Sequence, residues 1–184
     1  MNPEVPKSQQ ALASSAQRLM MKHPWRDITV SMLCEEAQVS RTTFYTHFAT
    51  TADLLEEIFS MTEHQLTAQS VEGRGLTEHG SFAFLPGLIR HLREKKMAFQ
   101  RQKNNETGML ISNRLRLMIA NMMEIEAKNT YFAKSLSGKN VTFLSGAVSA
   151  IVRRWAEENH RESDQELVSV LDKYITWFLD TLNR

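Results

Sequence analysis

The chain has 184 residues, and its 22 Lys and Arg against 21 Asp and Glu leave a net charge of +1. A hydrophobic share of 42% and a charged share of 23% exclude global disorder and allow a sizeable core, while no run nears the roughly 18 apolar residues of a membrane span. A single cysteine, Cys34, excludes an intrachain disulfide and a cysteine-based zinc cluster, and the charge balance speaks against a uniformly basic, polyanion-coating surface.

The first ten residues are polar and carry two prolines, so the expected location is cytoplasmic rather than secreted. All seven glycines lie at or after Gly73, and only Pro24 and Pro86 fall within the chain proper. No long alternating stretch of Val, Ile and Thr is present. The expected fold class is therefore all-α.

The first helix is expected from Lys7 to His23, with Leu12, Ala16, Leu19 and Met20 on one stripe. Pro24 ends it. A short second helix begins after Thr29, whose hydroxyl can cap it, and carries Val30, Leu33, Cys34 and Ala37. Gln38-Val39 is a tight break. Ser40 caps a third helix, Arg41 to Phe48, with Phe44 and Phe48 on one face. A fourth runs from Thr51 to Gln69. The polar stretch from Val71 to Gly80 holds three glycines and reads as a loop between two regions. Phe84 to Gln102 reads as one helix bent near Pro86, Met109 to Lys128 as another, and Tyr131 to Gly138 as a loop or short turn. Val141 to Asn159 is a strong helix. Ser163 and Glu166 form a capping box that opens the last helix.

Residues 29 to 48 make two short helices joined by a tight turn, a helix-turn-helix. Val39 and Phe44 can close back onto Leu33 and Ala37. That leaves Arg41, Thr42, Thr43, Tyr45, Thr46 and His47 free. All can donate a hydrogen bond and none is acidic. Phosphate oxygens only accept, so this face suits double-stranded DNA. The helix start at Ser40 can also take a phosphate.

The pattern Ile28-Thr29-Val30 followed by Ala37 to Phe48, with Asp53-Leu54-Leu55 behind it, resembles the DNA-binding segment of the tetracycline-repressor (TetR) family of bacterial regulators. The likeness covers about residues 7 to 60. Phe143-Leu144-Ser145-Gly146-Ala147 followed by Trp155 resembles the regulatory domain of one branch of that family. The resemblance implies that Thr29 caps the helix crossing the DNA backbone. Arg41, Thr42 and Thr43 would face base edges or nearby phosphates, Tyr45 and His47 phosphates, and Phe44 and Phe48 the core. Two positions depart from the family pattern. Gln38 replaces the usual turn glycine, and Thr51 replaces a phosphate-binding lysine. Thr50 and Thr51 still offer hydroxyl and backbone donors. Loss of one cationic contact should flatten the salt dependence by about one unit of slope.

No other constellation carries chemistry. The six histidines are scattered without a metal-ligand spacing. No nucleophile elbow or phosphate-binding glycine loop is present. Neither an enzyme, a metal nor a cofactor is expected. Cys34 reads as a small core residue. The run from Arg90 to Arg116 holds eight Lys or Arg against Glu94 and Glu106; it reads as a solvated face or, more sharply, as a site for an anionic effector. Met and aromatic residues crowd the second half, and the resemblance suggests a ligand pocket lined by Met97, Phe99, Met118 and Met122. Leu144, Val148, Ile151, Trp155, Leu171, Tyr174, Trp177 and Phe178 give the last two helices wide apolar faces, which predict a two-fold homodimer.

The whole reading is an N-terminal three-helix domain over residues 1–50 and a helical-bundle domain for ligand binding and dimerisation over 51–184. It implies a DNA-binding regulator, expected to repress from a palindromic operator, with a small-molecule effector or, alternatively, a partner protein. The contrasting reading is an all-α ligand-binding protein that has lost DNA binding.

Overall fold

The computed structural model describes residues 6–72, 81–102, 106–128, 130–158 and 162–182. The expected loop glycines at 73–80, together with Lys103, His79 and His160, lie outside the described residues. Among the described residues there is no strand, and the fold is all-α. The helices are α1 (Lys7–Met20), α2 (Val30–Ala37), α3 (Arg41–His47), α4 (Thr51–Glu72), α5 (Phe84–Glu94), α6 (Lys96–Gln102), α7 (Glu106–Ala127), α8 (Lys139–Glu157) and α9 (Asp164–Leu182). No helix among the described residues is long and apolar enough to cross a membrane.

Two apolar cores follow from the helix stripes. The smaller is built from Leu12, Ala16, Leu33, Phe44, Phe48 and Leu54 with their neighbours. The larger gathers Leu88, Leu92, Leu115, Met122, Val152 and Leu171 among others. Helix α4 serves both. Leu54, Leu55 and Ile58 close the small core, while Leu66 enters the large one. The small core also takes Ala98 from α6 and Ile111 from α7, so the N-terminal domain is seated directly on the bundle.

Local chemistry sets the helix ends. Helix α1 stops at Met20, earlier than His23, and a one-turn 3₁₀ segment from Trp25 to Asp27 follows Pro24. Trp25 is buried there. Ser163 and Glu166 cap α9 reciprocally. The Ser163 amide donates to Glu166 Oε2 at 2.7 Å, and the Glu166 amide donates to Ser163 Oγ at 3.2 Å. The helix expected from Phe84 to Gln102 is two helices. Pro86 sits in the first turn of α5, where its missing N–H costs nothing. The break falls instead at Lys95 (φ −99°, ψ 11°), which no Gly or Pro marks. Glu126 of α7 caps α5: its carboxylate accepts from the Ala83 and Phe84 amides at 2.8 and 2.9 Å. No pattern within either helix announces that bond.

Gln38 adopts the left-handed conformation at φ 56°, ψ 41°, as a turn glycine would. An L-residue there bears roughly 1–2 kcal/mol. Gln38→Gly should therefore stabilise the chain by about 1 kcal/mol, a rise of roughly 2–4 °C in Tm for a chain of this size. A thermal melt that falls instead would show that the Gln38 side chain contributes more than its backbone costs.

Candidate nucleic-acid interface

The helix-turn-helix is set from below. Phe44 is fully buried and Phe48 nearly so, which fixes α3 on α1, α2 and α4. The Cys34 thiol donates to the Ser40 carbonyl at 3.7 Å, and burial pushes its pKa up, so it is an unreactive core group. Thr29 Oγ1 accepts from the Met32 amide at 3.3 Å, capping α2. Ser40 Oγ accepts from the Thr43 amide at 3.0 Å, capping α3.

These bonds divide the expected DNA-facing residues. Tyr45 is 59% exposed, and among the described residues its hydroxyl has no partner. Thr42 and Arg41 are exposed beside it. The Arg41 guanidinium hydrogen-bonds Ser31 Oγ of α2, which braces it across the turn. Thr43 is half-buried and shares a 2.8 Å hydrogen bond with Ser40 Oγ. Thr46 donates to the Thr42 carbonyl at 2.9 Å. His47 Nε2 lies 2.7 Å from Ser8 Oγ on α1. Arg41, Thr42 and Tyr45 are therefore the most available side chains, while Thr43, Thr46 and His47 also hold the helix in place. Thr51 opens α4, half-buried. Thr50 and Asp53 are exposed and cap that helix, with the Thr50 amide donating to Asp53 Oδ2 at 2.8 Å and the Asp53 amide to Thr50 Oγ1 at 3.3 Å.

A second cluster joins the domains, and sequence reasoning missed it. Gln102, at the end of α6, is 1% exposed. Its Oε1 accepts from the Trp25 amide at 2.9 Å, and its Nε2 donates to the His23 carbonyl at 3.1 Å. Arg101 Nε donates to the Met21 carbonyl at 3.2 Å. The break at Lys95 aims α6 at this loop. Only the spatial meeting of positions nearly eighty residues apart reveals the pair.

The expected pocket residues separate. A cavity of about 70 Å³ between α1, α4, α5, α6 and α7 is lined by Met20, Ile58, His91, Lys95, Phe99 and Met118 among others. Met97 is 61% exposed, off that wall, and Met122 is buried in the large core instead. Part of the expected basic run is spent within the chain. Arg93 pairs with Asp164 and lies over Trp155, 4.9 Å from the ring centre, and Arg114 pairs with Glu56 at 2.8 Å.

Half of the eight residues expected at a dimer face are covered by the chain's own helices. Leu144, Val148, Trp155 and Leu171 are buried within the single chain, and Ile151 is half-buried. Period alone cannot tell a stripe covered by the chain's own helices from one awaiting a second copy. Tyr174 and Trp177 are 55% and 68% exposed. Phe178 stacks on the exposed Phe143 with ring centres 5.3 Å apart.

A small helix-turn-helix unit seated on a larger helical bundle defines the class: the fold of helix-turn-helix transcription regulators. Residues 12–58 match the family described as bacterial regulatory proteins, tetR family. Those residues are similar to that family's domain, and the chain shares the overall helical fold of solved regulators. A TetR transcriptional regulator from Streptococcus agalactiae is 17% identical, with 92% of this chain and 93% of that one covered at a TM-score of 0.63. A tetR-family regulator from Streptomyces coelicolor is 14% identical over 98% of this chain and 83% of that one, with a TM-score of 0.63. A dihydroxyacetone kinase operon activator, DhaS, is 17% identical over 96% and 94%, with a TM-score of 0.56. At these identities the likeness is one of fold. No curated protein matches the sequence.

Proposed function

We propose that the chain is a cytoplasmic, effector-controlled repressor that binds a palindromic operator as a homodimer. The observation that carries this reading is α3 itself. It presents Arg41, Thr42 and Tyr45 from a rigid base, with no acidic side chain on the helix, within residues that match the tetR family. Residues 1–50 are assigned to DNA binding and 51–184 to regulation and dimerisation. Arg41, Thr42 and Thr43 face bases or adjacent phosphates. Tyr45, Thr46, His47, Thr51 and the helix starts at Thr29 and Ser40 position the backbone. Tyr174, Trp177, Phe178 and Phe143 meet a second copy. One recognition helix reads few base pairs, and a two-fold dimer supplies the second half-site. The effector prefers the dimer spacing that mismatches the operator, and DNA opposes the effector by the same factor.

Fluorescence anisotropy against fragments flanking the gene tests this reading. A saturable, salt-sensitive complex with one palindrome is expected; its absence overturns the regulator. Within that complex Tyr45→Phe should weaken operator and random DNA alike, by about five- to tenfold, because a phosphate contact carries no sequence information. Thr42→Ala should instead reorder the preference among operator variants. The same uniform loss from both substitutions would mean that Thr42 does not face the bases.

A further inference from the structure

The junction cavity has one-sided chemistry. Its wall is mainly apolar, built from Met20, Ile58, Phe99, Met118 and their neighbours. Among the described residues lining it there is no Asp or Glu, yet Lys95 and His91 both stand in the wall. Both are half-buried. Neither the Lys95 ammonium nor the His91 ring makes a hydrogen bond or ion pair among the described residues. Burial lowers the His91 pKa, Lys95 lowers it further, and Glu94 opposes them weakly. The ring is therefore a neutral donor beside a cation. Thr62, also in the wall, spends its hydroxyl on the Ile58 carbonyl at 2.8 Å. An ammonium in a mainly apolar wall with no carboxylate facing it is free to meet an anion.

We propose that this cavity binds a monocarboxylic acid with a hydrocarbon chain, its carboxylate held by Lys95 and His91 and its chain against Met20, Phe99 and Met118. The proposal rests on the reading of the chain as an effector-controlled regulator and supplies the effector's class. Sugars and polyphosphates would leave most of their polar groups facing hydrocarbon. The free space of about 70 Å³ lies far below the ~300 Å³ of common ligand pockets. A longer acid must part the walls. One wall, Gln17 and Met20, belongs to α1 of the DNA-binding domain. Lys95 sits at the break that aims α6 at the loop after α1. A chain entering here pushes on the contact between the two domains.

Calorimetric titration of the full chain with hexanoate and octanoate, and with 1-octanol as the neutral match, decides it. Octanoate should occupy one site per chain, and octanol should bind at least about tenfold more weakly, the factor that one charge-assisted contact of ~1.4 kcal/mol provides. Lys95→Met should reduce octanoate to the level of octanol, while Lys95→Arg should keep it within about threefold. Lys95 is only half-buried and its side chain caps no core group, so both variants are expected to fold, and circular dichroism checks that they do. Equal binding of acid and alcohol, binding indifferent to Lys95→Met, or no binding to the folded chain would each overturn the proposal. Anisotropy with DNA, run without acid, separates the two readings. An operator complex with no acid binding removes this ligand class and leaves the regulator. Acid binding without any DNA complex keeps the site and removes the regulator.

Discussion

Gln102→Ala is expected to lower the stability of the folded chain by about 2–4 kcal/mol, read from the urea midpoint at constant slope. The side chain is 1% exposed and serves two backbone groups, the Trp25 amide and the His23 carbonyl. Its removal leaves both without that partner. An unsatisfied buried group costs about 1–3 kcal/mol; the Trp25 amide is buried and the His23 carbonyl only partly so, which keeps the sum in the lower part of the two-group range. Gln102→Glu sharpens the test. A carboxylate can still accept from Trp25 but cannot donate to the His23 carbonyl, and it buries a charge, so it should be no better than alanine. A loss below about 0.5 kcal/mol in both variants would mean that water replaces the amide and that the other contacts, Arg101 with the Met21 carbonyl among them, hold the junction. The loop served by Gln102 leads into α2, so weakening it should also loosen the placement of the helix-turn-helix on the bundle.

The N-terminal domain was legible in the sequence because its determinants are local. Thr29 and Ser40 cap the helices that follow them, Phe44 and Phe48 repeat on one face, and the turn conformation falls on Gln38. Such bonds span three or four residues and leave a readable spacing. The junction was not legible. Gln102 meets Trp25 across 77 positions, and Glu126 caps α5 across more than forty. Neither partner has a local motif. The break at Lys95 lacks any helix-breaking residue, so periodicity joined α5 and α6 into one. The pocket suffered the same limit. Met97 and Phe99 are near neighbours in the chain, but Phe99 lines the cavity and Met97 faces solvent. Composition marks which residues can build a cavity, while packing decides which ones do.

The apolar faces of α8 and α9 separate by a single pair of substitutions. Trp177 is 68% exposed in the chain, so Trp177→Glu should leave each subunit folded and unchanged in its melting midpoint as a monomer. In the proposed two-fold dimer the residue meets the partner surface, and each dimer would bury two unpaired carboxylates. An uncompensated buried charge costs about 3–5 kcal/mol, so two per dimer raise the dissociation constant by roughly 10⁴–10⁷-fold. Light scattering at micromolar protein should then report monomers, and operator affinity should fall with the lost second half-site. Leu171, on the same helix, is fully buried within the chain. Leu171→Ala should cost about 2–5 kcal/mol of fold stability through transfer and cavity terms, with little direct effect on association. A Trp177→Glu chain that stays dimeric would place the interface elsewhere. A Leu171→Ala chain that dissociates without losing stability would return that residue to the interface, against its burial in the single chain.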